Sequence, residues 1–190
     1  MSKLETITID TPSGSNTMQI GSTNTATINL GVSGDTINVP AGVTIANAGT
    51  ATGFGGTNTP QFHAYLSSSQ TLSNSVLTKI SIDTEVFDSD NDFTSNKWTP
   101  SAGTYFVYGQ VRLQRNGVTD QIGCYIRKNG SDLFTRFAYG NYYTASNVFG
   151  TVSMNGTDYL ELWGVHQAGS NTDISPNSDK TFFGGYKIIT

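Results

Sequence analysis

Five carboxylates within ten residues form the densest group of charged side chains in the sequence: Asp83, Glu85, Asp88, Asp90 and Asp92. Three of them alternate, as the first ligands of an EF-hand calcium loop do, where alternate oxygens point towards one hard cation. The rest of that loop is missing, since Phe93 replaces its glycine and Thr99 its final glutamate. A solvated acidic loop is the favoured interpretation, and calcium at Asp88, Asp90 and Asp92 is the alternative.

A tyrosine-rich segment, residues 139–143, offers a second kind of chemistry. Flat amphipathic rings stack on sugars or anchor interfaces between proteins. The candidate residues for binding a receptor or carbohydrate are Tyr139, Asn141, Tyr142 and Tyr143. The equal alternative is that these rings line the axis of a trimeric assembly.

The polar stretch from His166 to Lys180 is long enough to be a functional loop at one end of a β-sandwich. His166 is its candidate contact with a receptor. A plain solvated connection between two strands is the slightly favoured interpretation.

Catalytic chemistry has little support in the sequence. The chain has two histidines and shows no nucleophile elbow, no zinc-ligand spacing and no phosphate-binding loop. Two of the clustered carboxylates could in principle cleave sugars as a pair, but spikes that depolymerise polysaccharides usually rest on a much longer solenoid. With a net charge of −4, the chain also lacks the basic surplus that phosphate binding needs. We therefore expect no enzymatic activity, no required cofactor and no nucleic-acid partner.

The elements that must position these residues divide into two regions of different composition. Residues 1–58 contain one aromatic residue, Phe54, whereas the other twenty aromatics follow them. A glycine-rich run, residues 53–60, separates the two compositions. We predict two domains, a fibrous β-rich stalk over residues 1–58 and a globular head over residues 59–190.

The first region shows five short alternations of apolar residues, interrupted by glycine and proline. The alternating sets are Ile7/Ile9, Met18/Ile20, Ile28/Leu30/Val32, Ile37/Val39 and Val43/Ile45. Such brief strands bury too little surface within one chain to offset the entropy of ordering it. Three intertwined copies would place the apolar rows inside and close the strand edges. The alternative is a flexible linker rich in glycine, serine and threonine.

The second region is predicted to consist of successive strands, and no window has a helical period with caps. The predicted strands are Gln61–Leu66, Thr78–Phe87, Gly103–Gln114, Gln121–Lys128, Asp132–Tyr139, Val148–Met154, Tyr159–Gln167 and Thr181–Ile189. Three Asn-Gly pairs favour tight hairpin turns, at Asn116-Gly117, Asn129-Gly130 and Asn155-Gly156. The single cysteine, Cys124, is predicted to face the core beside Ile122 and Ile126. The fold class is all-β, a sandwich or jelly roll.

Four motifs follow one another along residues 60–190: Pro60-Gln61-Phe62-His63-Ala64, Thr99-Pro100 with Gly103-Thr104-Tyr105-Phe106, Arg127-Lys128-Asn129-Gly130, and the closing Phe182-Phe183-Gly184-Gly185. In this order they resemble a known family, the globular head of complement component 1q, which belongs with the tumour necrosis factor-like jelly rolls. The resemblance implies ten antiparallel strands and a threefold trimer. Some members of the family bind calcium near the trimer apex.

The stalk departs from the family's animal members, because the sequence has no collagen Gly-x-y repeat. A stalk of threonine, serine, asparagine, glycine and isolated isoleucine or valine looks instead like that of bacteriophage tail fibres. The first residues carry charges where a signal peptide needs an apolar run, and no stretch approaches a membrane span. These features favour a virion protein assembled in the host cytoplasm and no membrane insertion.

We therefore predict a trimeric structural fibre of a bacteriophage virion, a tail fibre or other appendage. Its stalk would contact other virion proteins, and its head would bind a glycan or protein on the host surface. Two alternatives remain at this point: a bacterial surface or spore-coat protein with the same head, and a purely architectural decoration fibre.

Overall fold

The computed structural model describes residues 20, 27–30, 33–46, 58–114 and 116–188. The chain separates into two units, Met1–Ala51 and Thr52–Thr190. Several predicted features lie outside the described residues, namely the first alternating set, Met18, Val32 and most of the glycine-rich run before Asn58. The described residues contain no helix, and so none that is long and apolar enough to cross a membrane.

The described part of the first unit is irregular and contains two turns. Turns occur at Ser33-Gly34 and Ala41-Gly42, and none of residues 20, 27–30 and 33–46 lies in a strand. Its large apolar side chains are 41–62% exposed: Ile20, Ile28, Leu30, Ile37, Val39, Val43 and Ile45. The predicted burial of these rows against other copies stays a prediction.

The described part of the second unit contains thirteen strands. In chain order they are β1 (Gln61–Tyr65), β2 (Gln70–Leu72), β3 (Thr78–Lys79), β4 (Thr84–Asp88), β5 (Phe93–Thr94), β6 (Lys97–Trp98), β7 (Gly103–Arg112), β8 (Asn116–Lys128), β9 (Ser131–Tyr142), β10 (Ala145–Met154), β11 (Leu160–His166), β12 (Thr172–Ile174) and β13 (Phe182–Lys187). All pairings between them are antiparallel.

These strands form two main sheets. One has the order β10-β7-β13-β1-β4, and the other the order β5-β6-β11-β8-β9, with β3 also paired to β11. Strands β12 and β2 form a small ribbon at one end. Apart from the pairs β5-β6 and β8-β9, neighbours in each sheet are not consecutive in sequence, as in a jelly roll, so the predicted all-β jelly-roll class is confirmed. The number of strands exceeds the implied ten because several segments are only two or three residues long.

The predicted strand Thr78–Phe87 is two strands that lie in different sheets. β3 pairs with β11, and β4 pairs with β1. Between them Ile80 and Ile82 are buried, and the Ile80 amide donates to the Leu162 carbonyl at 2.9 Å. The apolar alternation therefore continues while the chain crosses the core, which is why the pattern concealed the break.

Only one of the three Asn-Gly pairs forms the expected hairpin. Asn129 and Gly130 have φ values of 51° and 79° and join the paired strands β8 and β9, as a two-residue turn with both φ positive requires. Asn155-Gly156 joins β10 to β11 across the two sheets, with Asn155 Oδ1 accepting from the amides of Thr157 and Asp158. The hairpin predicted at Asn116-Gly117 is wrong, since both residues lie inside β8.

The core lies between the two main sheets. Its aromatic centre is Phe62, whose ring is 4.5 Å from that of Trp98 and 5.0 Å from that of Phe93. Gly185 allows this packing, because a Cβ there would lie 2.7 Å from the Trp98 ring. Cys124 is buried as predicted, and burial raises the pKa of its thiol. The second unit thus has a core of its own.

Candidate binding surfaces

The outer surface of the five-stranded sheet carries a continuous group of rings, which we call the aromatic face. Its members are His63, Phe87, Phe106, Tyr108, Phe149, Phe182 and Tyr186, whose neighbouring ring centroids lie 5.5–6.4 Å apart. Alternation along β7 explains its origin, because Tyr105 and Val107 face the core while Phe106 and Tyr108 face outwards. Phe149 is 64% exposed, so the face is open in the single chain.

A glycine shapes the middle of the aromatic face. Gly184 on β13 is paired with His63 on one side and with Tyr108 on the other. A Cβ at Gly184 would lie 2.4 Å from the Tyr108 ring. Without it, the Tyr108 hydroxyl reaches across β13 to His63 Nδ1 at 3.1 Å.

Partial burial sets the protonation of the two residues at this contact. Burial lowers the pKa of His63, because the charged imidazolium loses solvation among the rings. Burial also raises the pKa of Tyr108, and the neighbouring Tyr186 raises it further. The neutral forms of both side chains are therefore favoured on the aromatic face.

The predicted tyrosine-rich segment covers the end of β9 and the turn after it. Tyr139 is 72% exposed, Tyr142 is 66% exposed, and Asn141 is exposed beside them. Tyr143 occupies the turn with a φ of 41° and contacts the ring of Tyr142 at a centroid distance of 6.1 Å. None of these tyrosines belongs to the aromatic face described above, so the segment forms a separate surface within the described head.

Tyr143 also borders the larger of two clefts at this end of the sandwich. The cleft, which we call the end cleft, has a volume of about 370 Å³ and is lined by Arg112, Gln114, Tyr143, Ser175, Pro176, Asn177 and Lys180. The Arg112 guanidinium lies 4.9 Å above the Tyr143 ring, and its Nε donates to the Tyr143 carbonyl at 3.1 Å. A second cleft of about 300 Å³ shares Gln114 and continues along residues 170–173.

Sequence reasoning missed Arg112 and Gln114 and treated Lys180 only as the end of a polar loop. No local motif marks them, because they come from the end of β7 and from a loop more than sixty residues later. The long polar loop was the available signal, and its second half does line the cleft.

His166 lies elsewhere and is fully buried. Its Nε2 is 3.1 Å from the Leu72 carbonyl, and its Nδ1 accepts from the Ala168 amide at 3.3 Å. Both ring nitrogens therefore have partners inside the protein, and the suggested role of His166 as a surface contact needs correction. The period of β11 points this residue into the core.

The acidic loop is organised by its own hydrogen bonds. Asp88 Oδ2 accepts from the Phe93 amide at 2.8 Å, and Asp90 accepts from the Ser89 hydroxyl. Burial, and then the neighbouring charges of Asp90 and Asp88, raise the pKa of Asp92. No three acidic, histidine or cysteine side chains in the described residues converge as metal ligands. Calcium at Asp88, Asp90 and Asp92 stays a prediction that this geometry does not support.

No protein-family model matches the sequence, and no curated protein matches it. Solved structures are similar to the chain. Murine APRIL has 16% identity, covers 67% of this chain and 99% of its own, and has a TM-score of 0.50. The globular domain of zebrafish complement 1qA has 13% identity, coverages of 68% and 97%, and a TM-score of 0.47.

Eiger TNF from S. frugiperda is a third similar structure, with 12% identity, coverage of 67% of this chain and 91% of its own, and a TM-score of 0.46. At these identities the likeness shows the fold alone. Together with the sheet order, the likeness to murine APRIL shows that the second unit has an antiparallel jelly-roll fold.

Proposed function

We propose that this chain is a homotrimeric fibre protein of a bacteriophage virion, whose jelly-roll head binds the host surface and has no enzymatic activity. The single observation that carries the trimer is the open aromatic face on the five-stranded sheet. Contiguous apolar patches of this kind on soluble proteins mark interaction sites.

Further copies of the same chain are the partners that best fit the aromatic face. Phe149, Phe106 and Tyr186 form an adjoining run of rings at 5.5–6.2 Å, and aromatic rings dominate the centres of protein interfaces. The first unit supports the same conclusion independently, since its described apolar side chains are also exposed. Both units would therefore gain burial in one trimer.

The virion role is supported by the composition of the first unit, where isolated isoleucine, leucine and valine residues stand among threonine, serine, asparagine and glycine. Such a segment suits an intertwined fibre that attaches to other virion proteins. A trimeric head then presents three equal binding surfaces, so weak contacts with a glycan or protein of the host sum to useful avidity.

Light scattering on the full chain and on residues 59–190 tests the assembly. We expect about three times the chain mass for the full chain, and a trimer that persists or weakens in the shorter fragment. A monomer in both samples contradicts the proposal.

Mass spectrometry of purified virions tests the location. We expect the chain among the virion proteins, whereas a bacterial surface or spore-coat protein would be absent from washed particles. Binding of the head to host cells then separates a receptor-binding fibre from an architectural one, which would show no binding.

A further inference from the structure

We propose that the end cleft binds a carboxylate-bearing sugar, so that the head recognises acidic glycans. This inference rests on the proposed host-binding function and names the ligand class for it. The cleft volume of about 370 Å³ falls within the size range of small-molecule sites.

The walls of the end cleft are held in place before any ligand arrives. The Ser175 amide donates to the Arg112 carbonyl at 2.7 Å, and the Gln114 amide donates to the Asp173 carbonyl at 2.8 Å. Gln110 Nε2 donates to the Lys180 carbonyl at 2.7 Å and so fixes the opposite wall. A preformed site avoids the entropic cost of ordering loops on binding.

Charge selects an anionic ligand. The described lining residues of the end cleft include two cations, Arg112 and Lys180, and no carboxylate, and Lys180 Nζ lies 4.0 Å from Oδ1 of the exposed Asp179. The planar guanidinium of arginine matches a carboxylate with two parallel hydrogen bonds. Its position is fixed, because it stacks on Tyr143 and its Nε donates to the carbonyl of that residue.

The neighbouring tyrosine favours a sugar over a bare anion. Arg112 covers one side of the Tyr143 ring, while the adjacent Tyr142 ring is 66% exposed. An exposed tyrosine ring offers an apolar face with a polar edge, which suits the carbon-hydrogen face of a sugar. The charged group would thus bind inside the cleft and the ring of the sugar near its edge.

The second cleft extends the site to more than one sugar unit. It shares Gln114 with the end cleft and continues past Asn171 and Asp173. Amide and carboxylate side chains are suitable partners for sugar hydroxyls. The two volumes in series therefore fit an oligosaccharide whose acidic unit lies beside Arg112.

Isothermal titration of the full chain with two acidic probes, trigalacturonate and 3′-sialyllactose, tests the proposal. The neutral counterparts are the methyl esters of trigalacturonate and of 3′-sialyllactose, which keep the hydroxyls and lose the charge. We expect at least one acid to bind. Its neutral counterpart should bind at least roughly tenfold more weakly, since a charged hydrogen bond is removed. Added salt should weaken the binding of the acid.

Substitutions locate the binding. Arg112→Gln and Lys180→Gln should each lower the affinity for the acidic probe roughly tenfold. Lys97→Gln is the matched control, because Lys97 also lies over a tyrosine ring, 4.1 Å from that of Tyr159, on the other sheet; it should change nothing. Circular dichroism and light scattering on each variant confirm that fold and mass are kept.

Three results would overturn the proposal: equal binding of acid and neutral counterpart, no effect of either cleft substitution, or no binding of either acid at about 10 mM. Inorganic phosphate that displaces the acid at equal concentration would overturn recognition of the sugar. None of these results touches the trimer, because the molar mass is measured separately.

Discussion

The aromatic face and the end cleft use the same residue types for different purposes. On the aromatic face, rings contact rings and the only titratable nitrogen, on His63, is held neutral by burial. At the end cleft, Tyr143 contacts the cation of Arg112 beside polar groups. Rings packed on rings suit another apolar surface, whereas a ring that orients a cation suits a charged ligand. We therefore propose self-association through the aromatic face and ligand recognition at the end cleft.

The largest effect is expected when charges are placed on the aromatic face. In the fragment of residues 59–190, we expect the double variant Phe149→Asp, Tyr186→Asp to have the mass of a monomer, because each carboxylate would have to lose its hydration in the interface. Light scattering gives the mass. Tyr139→Asp is the control, since Tyr139 is more exposed than either of these residues but lies on β9, and the mass of this variant should stay trimeric. A trimeric double variant would remove the assigned role of the face.

A smaller effect is expected from Gly184→Ala. The new Cβ would overlap the Tyr108 ring and push its hydroxyl away from His63, at a cost of roughly 1–3 kcal/mol of unfolding free energy. Denaturant unfolding measures the loss. Tyr108→Ala should lower the unfolding free energy by less in the Gly184→Ala variant than in the unsubstituted protein. Simple additivity of the two changes would show that the ring and the glycine are not coupled.

A still smaller loss of folding stability is expected at acid pH. The pKa of His63 is lowered in the folded head, so its contribution to stability is fully present above the ordinary value near 6.5 and is lost as pH falls through the lowered value. We expect the melting temperature to fall between about pH 7 and pH 5. His63→Phe should reduce that fall, and an identical pH profile in the variant would exclude His63 as its cause.

The smallest effect on stability is expected from Tyr143→Asn at the end cleft. Tyr143→Asn should change the unfolding free energy by less than about 0.5 kcal/mol, because asparagine tolerates the positive φ of this turn. Tyr143→Val should cost roughly 1–3 kcal/mol more, since a β-branched residue is strained there. Thermal unfolding compares the two. A large loss in the asparagine variant would show that Tyr143 supports the fold.

Local patterns in the sequence predicted much of the head. The two-residue alternation predicted that Cys124 faces the core beside Ile122 and Ile126, and all three side chains are buried. The Asn129-Gly130 hairpin was also predicted, because its turn chemistry is local. Asn155-Gly156 was assigned to a hairpin wrongly, since the same residues can turn the chain towards either sheet.

The candidate surfaces could not be predicted in the same way. The aromatic face joins His63, Tyr108 and Gly184, which come from three strands that pair only after the chain has folded. The tyrosine-rich segment was found, but its partner Arg112 was not. His166 was chosen as a surface residue because a polar loop follows it, although the period of β11 turns it inwards.

The sequence by itself determined the all-β class, the change of composition between the two regions and the inward direction of Cys124, because these depend on local composition and on residues two positions apart. Only the tertiary structure decided which strands pair, and hence that Arg112, Tyr143 and Lys180 line one cleft and that Gly184 separates His63 from Tyr108. Strand pairing is settled by burial and hydrogen bonding between distant segments, which no local pattern records.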